Sequence, residues 1–138
     1  MRLVPFRKEH LPDADPAWLD VAVSCGPSLT GVRGDEILFC MGLTVVKQGV
    51  AEAWIVVPDR DKVKDLASAR FIVKSASYWI RFSMKDLGLR RVAAWVRCDI
   101  PSHVKWVEML GFMREGIMHR FDRDGGDCYL YAMIREDA

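Results

Sequence analysis

Apolar residues along this chain follow two rhythms. Short runs in which almost every residue is apolar sit between turn-forming residues, and one long stretch repeats its apolar residues three and four apart. The first rhythm predicts strands, the second an amphipathic helix. Arg2 to Phe6 reads as a short first strand. Asp13, Asp15 and Pro16 ahead of AWLDVAV open a helix, because carboxylates suit the positive end of the helix dipole, and Gly26 and Pro27 end it. LTGVR, then Gly34-Asp35, then EILFCMGLTVV predict a hairpin whose second strand is longer and is interrupted by Gly42. Gln48-Gly49 turns the chain into a strand from Val50 to Val57.

From Arg60 to Leu87 there is no glycine or proline. Val63, Leu66, Ala69, Val73, Ala76, Ile80, Met84 and Leu87 mark one apolar stripe. That spacing predicts a single helix from Arg60 to Leu87, closed by Gly88, with its charged residues on a solvated face. Arg91 to Val96 is a short apolar strand of the kind found inside a sheet. A strand, a helix and a strand in this order make a parallel pair with a right-handed crossover. Pro101 opens a short helix, SHVKWVEML, that Gly111 stops. GIMHRF and CYLYAMIR flank Asp124-Gly125-Gly126-Asp127 and predict a closing hairpin. The sum is a mixed α/β fold in a single domain over residues 1–138. Its central mixed sheet has about seven strands with one parallel central pair, flanked by helices.

Composition narrows the classes of function. Lysine and arginine number 20 against 19 acidic residues, so a formal net charge of +1 gives no overall drive toward nucleic acid or an anionic membrane, and neither is expected as a partner. No apolar run reaches transmembrane length. The first residues, MRLVPFRKEH, hold no continuous apolar region of the secretory kind, which favours the cytoplasm. Cys25, Cys40, Cys98 and Cys128 are scattered and three of them lie in strand-like runs, so they read as reduced core thiols and no metal site is expected. Trp18, Trp54, Trp79, Trp95 and Trp106 occur one per major element, as in a core built from large aromatics. His103 and His119 lack a partnered serine or cysteine, and neither joins a catalytic triad.

VAEAWIVVP followed by a long helix, LGLRRVAAWV, the Leu110-Gly111-Phe112 that closes a helix, and a last hairpin ending in YLYAMIRE together resemble the GNAT acyltransferase family over almost the whole chain. EAW ahead of a helix bearing arginine and lysine, EMLGFMREG and DGGDCYLYAMIR look, more narrowly, like small acetyltransferase-like proteins of tailed bacteriophages. The resemblance implies acetyl-CoA as cofactor. It implies that backbone groups around Ile55 and Val57 pair with the pantetheine arm, and that the next helix receives the pyrophosphate at its N-terminus. The glycine pattern that usually permits this approach is absent after Pro58. Arg60, Lys62 and Lys64 are the candidates to hold the phosphates instead, against repulsion from Asp59, Asp61 and Asp65. The alternative is that these acids are ordinary dipole partners and the lysines ordinary solvated groups.

The same resemblance makes Glu52 the candidate base for an amine acceptor. Its alternative is a solvent-facing or arginine-paired strand residue. Val107 stands where the family's usual acid is a tyrosine, and Asp99, Ile100 and Pro101 stand where an asparagine is usual. Tyr131, with Tyr129, is the candidate substitute acid, the alternative being packing. Two functions follow. One is acetyl transfer from acetyl-CoA to a primary amine of a small molecule or protein. The other is a catalytically inactive GNAT-shaped component of an assembly such as a phage particle, located in the host cytoplasm or the virion and bound to a protein partner. Pairing through the sheet into a homo-oligomer is implied by resemblance.

Overall fold

The computed structural model describes residues 1–136, so the last two positions of the expected domain, 137 and 138, lie outside the described residues. The apolar runs form seven strands, β1 (Arg2–Pro5), β2 (Ser28–Arg33), β3 (Glu36–Lys47), β4 (Val50–Val56), β5 (Arg91–Arg97), β6 (Met113–Met118) and β7 (Cys128–Ile134). The helices are α1 (Pro16–Ser24), α2 (Leu66–Asp86) and α3 (Pro101–Met109). One sheet runs in the order β1-β2-β3-β4-β5-β7-β6, antiparallel throughout except for the parallel pair β4–β5. The mixed α/β class, the strand number and the parallel pair expected from the sequence are all present.

Period-two alternation gives each strand two faces, and the helices cover them unequally. On one face Ile72, Ala76, Ile80 and Met84 of α2 and Val107 of α3 pack over Phe39, Met41, Leu43, Ala51, Val92 and Tyr131. Ile72 and Ala76 are fully buried, and each large side chain so placed contributes about 1.5–3 kcal/mol. On the other face α1 brings Leu19 and Ala22 against Phe6, Leu11 and Cys40, with Trp18, Trp54 and Val56 alongside. Gly88, at φ +66°, terminates α2 in the left-handed conformation that glycine tolerates best.

Four details differ from the sequence reading, each for a local reason. β3 runs unbroken through Gly42, because the Trp54 ring on β4 lies over it and a Cβ there would come within 2.6 Å of the indole. The long helix starts at Leu66 instead of Arg60; Arg60–Val63 form a 3₁₀ turn and Asp65 is extended, capping α2 with its side chain. β6 spans Met113–Met118, so His119 to Phe121 belong to a wide connection in place of a tight hairpin turn. Arg97 organises that connection through Asp99, Asp122 and Asp124, at 2.8, 3.0 and 2.5 Å. The tryptophans do not all serve the core: Trp95 is 40% exposed. All four cysteines are free; Cys40 and Cys128 are buried, Cys98 is half-buried and Cys25 exposed.

Candidate active site

β4 and β5 are in register only at Val50↔Arg91, Ala51↔Val92 and Glu52↔Ala93. Past that point β4 stays paired with β3 as far as Val56, and β5 stays paired with β7 as far as Arg97. The two strands therefore diverge, and among the described residues the β4 backbone edge that faces β5 has no strand partner beyond Glu52. Backbone N–H and C=O groups left this way can take an extended ligand as they would a strand. Ile55, 38% exposed, and the half-buried Val57 lie on that open arm.

Glu52 stands at the vertex of this fork. Its register opposite Thr44, with Trp54 opposite Gly42 and Val56 opposite Cys40, puts it on the α1 face. The side chain is half-buried and has no hydrogen-bond or ion-pair partner among the described residues. Tyr131 lies on the other face, within the core under α2 and α3, and is fully buried. Its hydroxyl donates to Glu108 Oε2 at 2.7 Å and accepts from Arg114 Nη2 at 3.1 Å and Nε at 3.2 Å. Burial, reinforced by the Glu108 carboxylate, raises its pKa above the ordinary phenol value. The sheet itself therefore separates Glu52 from Tyr131. Arg114 also stacks over the Tyr129 ring, 3.7 Å from its centroid, so Tyr131 is engaged in packing and hydrogen bonding and Tyr129 in ring contacts.

The loop from Pro58 to Asp65 joins the open arm of β4 to α2 and determines what the N-terminus of α2 can hold. Asp65 Oδ2 accepts the Ser68 N–H at 2.9 Å, and Oδ1 accepts the Ser68 hydroxyl at 2.7 Å. Arg33 Nη1 donates to Ser68 Oγ at 2.9 Å and lies 3.7 Å from Asp65. These bonds hold the Asp65 carboxyl below the usual carboxylate range, Ser68 being the main cause. A carboxylate already occupies the place where a helix N-terminus would receive a phosphate.

The three expected phosphate ligands are directed elsewhere. Arg60 Nη2 donates to His103 Nε2 at 2.6 Å, joining the loop to the start of α3. Burial, and then the Arg60 charge, lower the His103 pKa, which suits an acceptor nitrogen. Lys62 Nζ lies 3.8 Å from Glu36 at the β2–β3 hairpin, and Lys64 Nζ 2.8 Å from Asp61. The residues at this N-terminus do not fit a coenzyme A pyrophosphate. The sequence names Asp65 as a source of repulsion or a dipole partner; its role as the cap of α2 is also written locally, because Asp-x-x-Ser ahead of an apolar run is a capping pattern. Nothing local announces Glu108 and Arg114 as partners of Tyr131, since they come from α3 and β6.

A cleft of about 510 Å³ lies on the α1 face at the far end of β4, lined by Trp18, Val56, Pro58, Arg123 and the Leu11–Asp15 segment. His10 forms one wall, with Nδ1 2.8 Å from the buried Thr30 hydroxyl. Among the described residues no three histidine, cysteine or acidic side chains converge as a metal site would require.

No family model matches the sequence, and no curated protein does. Solved structures do resemble it. A GNAT family acetyltransferase from Elizabethkingia anophelis, with acetyl-CoA bound, is 15% identical with a TM-score of 0.74, covering 97% of each chain. The IAA acetyltransferase of Bacillus cereus is 14% identical with a TM-score of 0.76, over 97% of this chain and 99% of that one. The ribosomal-protein-S5-alanine acetyltransferase of Vibrio fischeri is 15% identical with a TM-score of 0.70; the match covers 82% of this chain but only 63% of that longer one. Identities this low speak to architecture alone. With its single parallel pair forking in the middle of a seven-stranded sheet, the chain has the fold of the GNAT acetyltransferases.

Proposed function

We propose that this chain acts by binding, as a catalytically inactive GNAT-fold component of a larger assembly. The observation that carries this reading is the Asp65 carboxylate seated on the first turn of α2, with Ser68 and Arg33 closed around it. A pyrophosphate needs the N–H groups of that same turn and would meet Asp59, Asp61 and Asp65 there. Arg60, Lys62 and Lys64 do not offset them, being turned toward His103, Glu36 and Asp61. The partner in this reading is another protein chain, and the narrower resemblance to phage-encoded proteins makes a virion the first assembly to examine. Isothermal titration with acetyl-CoA and with free coenzyme A is the test. No saturable heat and no thermal shift are expected; saturable micromolar binding would overturn the reading.

A second reading is favoured by the fork and by Glu52, a carboxylate at its vertex with no partner among the described residues. In it the protein transfers an acetyl group from acetyl-CoA to a primary amine of a small molecule or protein, Glu52 taking the ammonium proton. It requires an anion seat other than the present N-terminus of α2. Asp65→Ser, which keeps a capping oxygen and removes the charge, is the substitution that would open one. Pairing of two copies through the exposed sheet edges is a further proposal, checked by light scattering after gel filtration.

A further inference from the structure

Each residue of an α-helix advances about 100°, so Arg70, Lys74, Tyr78, Arg81, Phe82 and Lys85 share one arc of about 120° on α2. All six are exposed. Tyr78 is 74% and Phe82 56% exposed, and their rings stack with centroids 6.5 Å apart and planes 14° apart. Two large rings therefore stand in water on the same helix that buries Ile72 and Ile80. The four cations around them are not neutralised. Arg70, Lys74 and Lys85 have no hydrogen-bond or ion-pair partner among the described residues. Arg81 bonds only neutral oxygens, those of Ser77 and the Leu110 carbonyl. The one carboxylate within α2 is Asp86, its last residue. A net charge of +1 over the chain thus conceals one strongly cationic, aromatic face.

We infer that this outward face of α2 docks onto an anionic lipid surface. The ridge is convex and about 22 Å long from Arg70 to Lys85 at 1.5 Å per residue, a shape that meets a plane better than it meets a strand. Single-stranded nucleic acid is held in grooves whose rings offer free faces to the bases, whereas here each ring gives one face to the other. Lysine is depleted from protein–protein interfaces, and lysines lie before and after the ring pair here. Rings at the headgroup level, with long cationic side chains reaching lipid phosphates on either side, are the arrangement that an interfacial helix uses. Among the described residues no helix is long and apolar enough to cross a membrane; the contact inferred is a peripheral one. The inference is independent of whether coenzyme A binds.

The full chain would be sedimented with vesicles of phosphatidylcholine alone and of phosphatidylcholine mixed with phosphatidylglycerol, at low and at high salt. Expected is binding to the anionic vesicles only, reversed by salt. Lys74→Glu combined with Lys85→Glu changes the charge by four units and should weaken it about six-hundredfold, at roughly fivefold for each unit. Tyr78→Ser with Phe82→Ser should weaken it about tenfold while an unchanged circular dichroism spectrum and melting temperature show an intact fold. Binding to neither vesicle, equal binding to both, or wild-type binding by the charge-reversed variant would overturn the inference. So would tighter binding to a thymidine oligonucleotide than to the vesicles, which would make the partner a nucleic acid.

Discussion

The β4–β5 fork and the loop that leaves it are neighbours held together by different forces. Around the fork, Ala51 and Val92 are fully buried, and Ile72, Ala76 and Ile80 of α2 pack across the sheet beside them. The loop from Pro58 to Asp65 has one buried anchor, Val63 at 8% exposure, and is otherwise held by caps and solvent-exposed ion pairs. Burial sets the geometry of the first, while a few exchangeable charges set the chemistry of the second. A structure can thus share the frame of an acetyltransferase at 14–15% identity and still present a carboxylate where a phosphate would sit.

The strongest way to break this comparison is from within the core. Ile72→Ala should cost about 2–5 kcal/mol, read as a lower urea midpoint with an unchanged slope. A small effect would mean that the fork does not depend on the packing of α2. Next in size, Asp65→Ala should lower the melting temperature by a few degrees through loss of the cap, and Asp65→Ser by less. If either variant gains affinity for coenzyme A, the carboxylate alone closes the seat.

His103 gives a smaller, pH-dependent effect. The unfolded histidine takes up a proton near its ordinary value of 6.5, and the folded one only at lower pH. Between the two the unfolded chain binds more protons, so stability declines as pH falls through that window. His10 is shifted in the same direction, so His103→Gln should flatten the decline in urea midpoint without abolishing it. No flattening would detach Arg60 and His103 from stability. Smallest of all, Lys62→Ala with Lys64→Ala should leave the melting curve almost unmoved, because Lys64 and Asp61 are 75% and 80% exposed. A marked loss would show that the loop is held more firmly than its exposure implies.

The frame was legible because each strand and helix declares itself locally. The apolar runs at Leu38 to Met41 and Val92 to Val96, and the helical spacing of Ala76, Ile80 and Met84, need no distant partner to be recognised, although α2 buries Ile72 where the spacing named Val73 and leaves Leu66 and Leu87 exposed. What remained hidden depended on distance or on parity. Val63 continues the spacing of the helical stripe, so the 3₁₀ turn and the break at Asp65 read as one helix. The wide β6–β7 connection depends on Arg97, more than twenty residues away in sequence, collecting Asp122 and Asp124. Alternation tells that Glu52 and Trp54 share a face, but only the registers across β3, β5 and β7 show that Tyr131 lies on the opposite one. The exposed rings of α2 are apolar residues placed among charges, a pattern that periodicity assigns to a solvated face.

The brevity of the β4–β5 pairing also has a mechanical meaning. Seven residue pairs join β3 to β4 and seven join β5 to β7, while three hold β4 to β5. The sheet is therefore two stiff panels, β1 to β4 and β5-β7-β6, laced by three rungs and braced from one side by α2 and α3. Torsional load between the panels concentrates at that seam, so the molecule yields there before either panel loses a strand.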